Sequence, residues 1–387
     1  MLNQEDIDAL LLRYLLRECE EGEKQVVERW LAESSKNRKQ FEDLQRFHEL
    51  VKRSIQERAV QSDYADFRKR LVQWQGRRRR LRILTGVAAG IALVICLGYA
   101  FFFIGGQSNS HSDQLATNRL LPGKAHAILH LSDGRAVNLN TEARHIEEQN
   151  GAQLLADGHG RLDYQATDKT EGKKVYNRLE VPRGGEFQLA LADGTKVWLN
   201  AESELRYPAT FTGKERRVAL KGEAYFQVAT DSTMPFIVQV GEMETRVYGT
   251  EFNISTQEKG RIETVLVSGR IGIRYNSKET MLAPSQKAAI NLGDKKVSIE
   301  QVNILPYIAW KDGIFMFQNE SLEDIMEQLG RWYDIDVFFS NEGLKSIRLS
   351  GMLERDKDAR ELFRHFEKIS SARFSVQGRT VVVNEKK

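Results

Sequence analysis

An uncharged apolar run extends over 22 residues, from Ile83 to Ile104. A helix over these residues would be about 33 Å long, which is enough to cross a hydrocarbon core of about 30 Å. A signal peptide would begin near the first residue and would be shorter, and a buried core helix of this length usually contains polar residues. The run therefore predicts one transmembrane helix at 83–104.

The orientation of that predicted helix follows from a one-sided basic cluster just before it. The positive-inside rule places such a cluster in the cytoplasm, so the N-terminus is predicted inside and the C-terminal part outside. The cluster consists of Arg77, Arg78, Arg79, Arg80 and Arg82. These arginines also account for the net charge of +3, so the basic balance gives little support for direct nucleic-acid binding.

Of the two cysteines, Cys19 lies before the apolar run and Cys96 lies within it. The predicted outer part therefore has no cysteine and no disulfide framework, so it must fold on its hydrophobic core alone. A cysteine-free exported region is more typical of a bacterial periplasm than of a eukaryotic cell surface.

Residues 1–76 show apolar residues at helical spacing in four successive segments, which predicts an all-α helical bundle. Four short helices bury little surface by themselves, so their apolar faces could either pack inside the bundle or bind a partner. The pattern alone leaves both interpretations open.

Residues 105–119 form a predicted tether rich in Gly, Ser and Asn, and the pattern of apolar and polar residues changes after it. Residues 120–300 consist of short alternating runs broken by Gly and Asp, such as the turn at Asp193-Gly194, and predict an all-β domain. The pattern of residues 306–387 predicts β-α-β-β-α-β, a small α+β domain in which Ser321 caps the first helix. The predicted fold class is thus multi-domain: an N-terminal all-α helical bundle, one transmembrane helix, an all-β domain and a C-terminal α+β domain.

The sequence contains no zinc-binding signature, nucleophile elbow or phosphate-binding loop. We therefore expect no catalytic residues, no metal site and no cofactor. The lack of such motifs favours an interaction protein over an enzyme.

Eight short motifs between residues 181 and 275 closely resemble, in order, the periplasmic domain of FecR-type anti-sigma regulators. Four of them are Val181-Pro-Arg-Gly-Gly-Glu-Phe187, Asp193-Gly-Thr-Lys-Val-Trp-Leu-Asn-Ala201, Gly222-Glu-Ala-Tyr-Phe226 and Gly249-Thr-Glu-Phe-Asn253. The segment from Trp310 resembles the C-terminal domain of such proteins. Segments 11–15 and 27–31 resemble their cytoplasmic helical domain more loosely.

The resemblance implies a single-pass regulator of the inner membrane with a cytoplasmic N-terminus and a periplasmic C-terminus. Its N-terminal domain would hold an extracytoplasmic-function sigma factor. Its periplasmic part would contact the signalling domain of a TonB-dependent outer-membrane transporter, and envelope proteases would help release the sigma factor. The candidate sigma-binding residues are Leu11, Tyr14, Leu15, Val27, Trp30 and Leu31.

The candidate transporter-binding segment is Thr380, Val381, Val382 and Val383, interpreted as an edge strand that could pair with a strand of the transporter. An interior strand is the alternative interpretation of the same run. A second class of function also fits the pattern: a single-pass envelope scaffold or adhesive β protein without sigma regulation.

Some members of the family cut themselves at a Gly-Thr bond, and the matching pair here is Gly249 and Thr250. The threonine hydroxyl could attack the glycine carbonyl to form an ester. A glycine bend before a strand explains the same pair without chemistry, and the sequence favours that explanation.

Overall fold

The computed structural model describes residues 24, 26–28, 30, 31, 34 and 37, and then 119–139, 143–148, 152–165, 175–258 and 260–386. The chain divides into two compact units, 1–66 and 67–387. In the first unit, the described residues from Lys24 to Leu31 are helical. The second unit contains all the strands discussed below.

Strands dominate residues 124–301, here called the β region. In chain order the described strands are β1 (Lys124–Ala125), β2 (Ile128–His130), β3 (Ala136–Asn138), β4 (Ala143–Glu147), β5 (Gln153–Asp157), β6 (Arg161–Gln165), β7 (Tyr176–Val181), β8 (Gly185–Ala190), β9 (Lys196–Leu199), β10 (Ser203–Pro208), β11 (Arg216–Lys221), β12 (Glu223–Gln227), β13 (Phe236–Val240), β14 (Met243–Val247), β15 (Glu251–Ser255), β16 (Arg261–Ser268), β17 (Ile271–Tyr275), β18 (Lys278–Leu282), β19 (Gln286–Asn291) and β20 (Val297–Gln301).

These strands form two sheets, which we call the first and the second sheet. Among the described residues the first sheet runs β20-β19-β16-β15-β12-β9-β8-β6-β5-β4, with β1 added alongside β8. The second sheet runs β18-β17-β14-β13-β11-β10-β7-β2-β3. Successive hairpins alternate between the sheets, and most neighbours are antiparallel, the described exceptions being β1–β8, β6–β8 and β11–β13.

The two sheets share one hydrophobic core because each strand turns every second side chain inward. In β8, for example, Phe187 and Leu189 are buried and their neighbours are only partly so. Phe226 lies at the centre: its ring stacks on Phe252 at a centroid distance of 5.0 Å and is tilted against Phe236 of the second sheet at 6.3 Å. Burying one such side chain stabilises the fold by about 1.5–3 kcal/mol.

Residues 305–385 follow the β region and end in a unit of 314–385 that we call the C-terminal unit. The described elements are α1 (Leu305–Ile308), a short 3-10 turn (Ala309–Asp312), β21 (Ile314–Ser321), α2 (Leu322–Tyr333), β22 (Asp336–Phe339), α3 (Glu342–Lys345), β23 (Arg348–Glu354), α4 (Ala359–Ile369), β24 (Ala372–Gln377) and β25 (Thr380–Glu385).

The C-terminal unit contains two small sheets, β21-β23 and β22-β25-β24. Helix α2 begins at Ser321, whose hydroxyl accepts a hydrogen bond from the Asp324 backbone N–H at 3.1 Å. The apolar faces of α2 and α4, including Leu329 and Phe363, pack against both sheets in a second core. Leu120, which precedes the β region, also packs into this core.

The predicted fold class is wrong as a description of this structure. The described residues are mostly β and include no N-terminal helical bundle, and none of their helices is long and apolar enough to cross a membrane. The physical reason is that alternating strands, paired into two sheets over one core, make up most of the described chain. The ranges 83–104 and 105–118, the five arginines and most of 1–76 lie outside the described residues.

Candidate functional site

A buried arginine joins the C-terminal unit to the β region. Arg355, the residue after β23, has a side chain that is only 3% exposed. Its guanidinium donates to the Trp310 carbonyl oxygen at 2.7 Å and to Asn200 Oδ1 of the β region at 3.1 Å. It also lies 3.4 Å from Glu186 Oε2 on β8. One cation thus bridges two regions that are far apart in sequence.

Aromatic rings surround the same guanidinium. Its central carbon lies 3.8 Å from the centroid of Trp332, 5.2 Å from that of Phe315 and 5.9 Å from that of Trp310. The Trp332 indole N–H donates to the Arg355 carbonyl oxygen at 2.9 Å, which fixes the ring. A cation over desolvated rings gains about 2 kcal/mol, so the arginine is held by both charge and packing.

Glu223 orders the polar groups of the β region next to Arg355. One carboxylate oxygen accepts from Asn200 Nδ2 at 2.8 Å and the other from Asn253 Nδ2 at 2.9 Å. Burial raises the pKa of Glu223 above its ordinary value, and the two amide hydrogen bonds oppose that rise. Gly222 precedes it at φ +90°, where a Cβ would lie 2.4 Å from Ser203 Oγ, so only glycine fits.

A second arginine crosses in the opposite direction. Arg183, in the turn between β7 and β8, donates to the carbonyl oxygens of Gly330 at 3.0 Å and Ile335 at 2.6 Å. It also donates to Asp334 Oδ1 at 3.2 Å. These acceptors lie at the C-terminal end of α2, where the helix dipole favours a cation. The adjacent Gly184 N–H donates to the Arg331 carbonyl oxygen at 2.8 Å.

We call the set Arg183, Glu186, Asn200, Glu223 and Arg355 the junction. Beside it lies a cleft of about 650 Å³ lined by polar side chains from both regions. In the cleft, burial and the neighbouring carboxylates of Asp324 and Glu258 raise the pKa of Glu320 to about 7. Lys287 partly offsets this charge by pairing with Glu263 at 2.9 Å.

The geometry of the junction suits mechanical coupling rather than catalysis. Every charged group in it has a hydrogen-bond or ion-pair partner across or beside the boundary. Within the part of the chain that the structure describes, no group of three or more His, Cys, Asp or Glu side chains is placed to hold a metal ion.

The sigma-binding candidates fall in the first unit. Val27 is buried, and Trp30 and Leu31 are partly buried, on the described helical stretch. Leu11, Tyr14 and Leu15 lie outside the described residues. Their role in binding a partner stays a prediction.

The transporter-binding candidates Thr380–Val383 lie in β25, and the prediction that they form an edge is wrong. This strand lies between β22 and β24, so its backbone pairs on both sides. Val381 and Val383 are fully buried because their side chains face the helices of the C-terminal unit. Strand addition at β25 would first require that an existing partner strand leave.

The Gly249-Thr250 pair lies in a tight bend before β15. Gly249 has φ +155°, and a Cβ there would lie 2.5 Å from Thr230 Oγ1. The Thr250 hydroxyl is buried and donates to the Arg270 carbonyl oxygen at 3.1 Å. The backbone conformation of the bend thus explains why a glycine stands at position 249. Cleavage at this bond stays a prediction.

The junction could not be predicted from the sequence as a site, although three of its residues lie in recognisable motifs. Arg183, Glu223 and Asn200 all belong to motifs that carried the resemblance. Arg355 belongs to none of the quoted motifs, and a charged residue just after a strand is usually expected in solvent.

Two family comparisons cover the regions on either side of the junction. The family described as FecR protein matches residues 177–272, and the family described as FecR, C-terminal, matches residues 314–383. These two segments of the chain are therefore similar to FecR family domains. The matched family is regulatory and not enzymatic.

Two solved structures share the fold of this chain. Two crystal structures of a candidate anti-sigma factor from Parabacteroides distasonis ATCC 8503, at 1.65 and 2.50 Å resolution, each superpose with a TM-score of 0.51 at 23% identity. The alignments cover 54% and 55% of this chain and 99% and 100% of those chains. At this identity the likeness shows the fold alone. No curated protein matches the chain significantly.

Proposed function

We propose that this protein is an anti-sigma factor of the FecR type that transduces a signal. Its N-terminal residues would hold an extracytoplasmic-function sigma factor until a signal reaches residues 177–383. The observation that carries the proposal is the ordered pair of FecR and FecR C-terminal matches. The fold shared with a candidate anti-sigma factor supports it.

The junction suggests how the signal would pass. Arg183 and Arg355 each insert into the other region, so a load on the C-terminal unit reaches the β region through directional contacts. We propose that the signalling domain of a TonB-dependent transporter supplies that load and that envelope proteases act afterwards. Since β25 is an interior strand, its backbone is not open to a further strand. The transporter would therefore bind at a surface other than the backbone of β25.

Retention of the sigma factor by the full chain tests the proposal. The full-length protein should co-purify with the extracytoplasmic-function sigma factor encoded beside it, and its deletion should raise transcription from that sigma factor's promoters. Trp30→Ala should weaken retention, whereas Glu28→Ala, an exposed change on the same helical stretch, should not. A folded sigma factor that the wild-type chain fails to retain would rule the proposal out.

The proposed location is the inner membrane, with the β region and C-terminal unit in the periplasm. Alkaline phosphatase fused after Lys387 should be active, because that enzyme requires an oxidising compartment. An inactive fusion, made at normal levels, would contradict the location without bearing on sigma binding.

A further inference from the structure

Among the described residues, strand β20 lies at the edge of the first sheet. Within that part of the chain it pairs with β19 on one side only, and all five of its residues are exposed. They include Val297 at 37% and Ile299 at 42% exposure. An edge strand with unpaired backbone groups and exposed apolar side chains is a template on which another strand can pair. Proteins usually protect such an edge, so we looked for the strand that could pair with β20.

The register against β19 shows which backbone groups are free. Asn291 N–H donates to the Lys296 carbonyl oxygen at 3.0 Å, and Val302 N–H to that of Ser285 at 2.9 Å. Antiparallel strands alternate the direction of their backbone groups, so Lys296, Ser298 and Glu300 point toward β19. The N–H and C=O groups of Val297 and Ile299 therefore point to the open edge.

The charges around β20 are complementary to the same strand reversed. The side chain of Lys296 is 82% exposed and that of Glu300 is 60% exposed. Each has one intrachain partner, Asp294 at 3.4 Å and Lys287 at 3.0 Å respectively, and most of its surface stays open. If a second copy of 296–300 is placed antiparallel beside the first, with Ser298 opposite Ser298, Lys296 of each copy lies opposite Glu300 of the other.

We propose that β20 pairs with β20 of a second copy of this chain, about a two-fold axis through Ser298. In this register Lys296 lies opposite Glu300, Val297 opposite Ile299, and Ser298 opposite itself. The hydrogen-bonded pairs then fall on Val297 and Ile299, which are the residues with free backbone groups. A shift of two residues loses the Lys–Glu pairs, so charge selects the register.

A second copy fits this edge better than an unrelated partner because one short strand supplies both halves of the match. Two-fold interfaces use the same patch on both subunits, which is what a self-complementary strand provides. The first sheet would become continuous across the dimer. This inference is independent of the proposed anti-sigma function.

Cysteine crosslinking tests the register. In the full-length chain carrying Cys19→Ser and Cys96→Ser, Ser298→Cys would face itself across a non-hydrogen-bonded pair. The Cα atoms of such a pair lie about 4.5 Å apart, within the disulfide range of about 4.4–6.8 Å. Mild oxidation should give a covalent dimer. Val297→Cys, one residue away, would face Ile299 and should crosslink at least about tenfold less. Equal crosslinking of both variants, or none by Ser298→Cys, would overturn the proposal.

Charge reversal supplies a control that misfolding cannot imitate. Lys296→Glu alone and Glu300→Lys alone each place like charges opposite each other, so each should lower the dimer fraction about tenfold at fixed concentration. A mixture of the two variants restores both opposite-charge pairs and should recover heterodimers of the full-length chain, measured by sedimentation. Unchanged self-association in the single variants, or a mixture that stays monomeric, would refute strand pairing at β20.

Discussion

Replacing Arg355 by methionine should uncouple the C-terminal unit from the β region. The change removes the donor to the Trp310 carbonyl oxygen at 2.7 Å and to Asn200 Oδ1 at 3.1 Å. Each acceptor keeps one backbone donor, the Gly313 N–H for Trp310 and the Ala201 N–H for Asn200. The change therefore removes two hydrogen bonds from a charged donor, which contribute about 1.5–3 kcal/mol each. Loss of the cation 3.8 Å from the Trp332 ring adds about 2 kcal/mol.

Methionine recovers part of this loss because its side chain packs against the same aromatic rings, which returns about 1–2 kcal/mol. The net loss in the free energy of unfolding is then about 3–7 kcal/mol, which includes the about 3–5 kcal/mol typical of removing one partner from a buried ion pair. Urea denaturation of the full-length chain, followed by tryptophan fluorescence, measures it, since Trp310 and Trp332 flank the guanidinium. We expect an additional transition at lower urea, in which the C-terminal unit unfolds first.

Arg274→Met is the matched control. Arg274 pairs with Glu244, but its side chain is 57% exposed, and exposed ion pairs contribute only about 0–1 kcal/mol. If Arg355→Met lowers stability no more than Arg274→Met does, then Arg355 does not hold the junction together. Hydrogen exchange of β21 and β23 in Arg355→Met that matches wild type would equally refute this role of the arginine.

Three further changes test local features of the fold. Because the pKa of Glu320 is about 7 in the folded chain against an ordinary 4.5, the unfolded chain loses this proton first as pH rises. Stability should therefore fall between about pH 4.5 and pH 7, by about 1–2 kcal/mol after solvent screening, and Glu320→Gln should abolish that fall in urea titrations at pH 5 and pH 8. Gly249→Ala should cost at least about 2 kcal/mol, read from the urea midpoint, because its Cβ would lie 2.5 Å from Thr230 Oγ1; an unchanged midpoint would contradict the bend. Ser321→Ala should cost about 1 kcal/mol by removing the N-cap of α2, which circular dichroism during urea unfolding would report.

Local features of the fold could be predicted from the sequence. The alternation around 236–240 predicts a strand, and the structure has β13 at Phe236–Val240. The spacing of apolar residues over 359–370 predicts a helix, and the structure has α4 at Ala359–Ile369. The turn predicted at Asp193-Gly194 is also present, with the Gly194 N–H donating to the Leu191 carbonyl oxygen at 2.9 Å. Such features depend on residues near in sequence, which is why a pattern can predict them.

Contacts between distant segments could not be predicted in this way. Arg355 contacts Asn200 across 155 positions, and no local pattern distinguishes it from an arginine in solvent. The prediction that Thr380–Val383 form an edge strand was wrong for the same reason. A valine-rich run has the same composition at an edge as at the centre, and only the order β22-β25-β24 decides which it is.

The junction gives a physical explanation for residues in the motifs that resemble FecR proteins. Residues 181–187 contribute Arg183 and Glu186, and residues 222–226 contribute Glu223, so separate motifs of the β region supply polar groups that meet the C-terminal unit or lie next to Arg355. A polar group buried between two regions costs free energy unless its partner is present, so each region depends on the other to satisfy these residues. Separating the regions would expose unpaired groups on both sides at once. A partner that pulls on the C-terminal unit therefore changes the stability of the β region, which a flexible tether between independent domains would prevent.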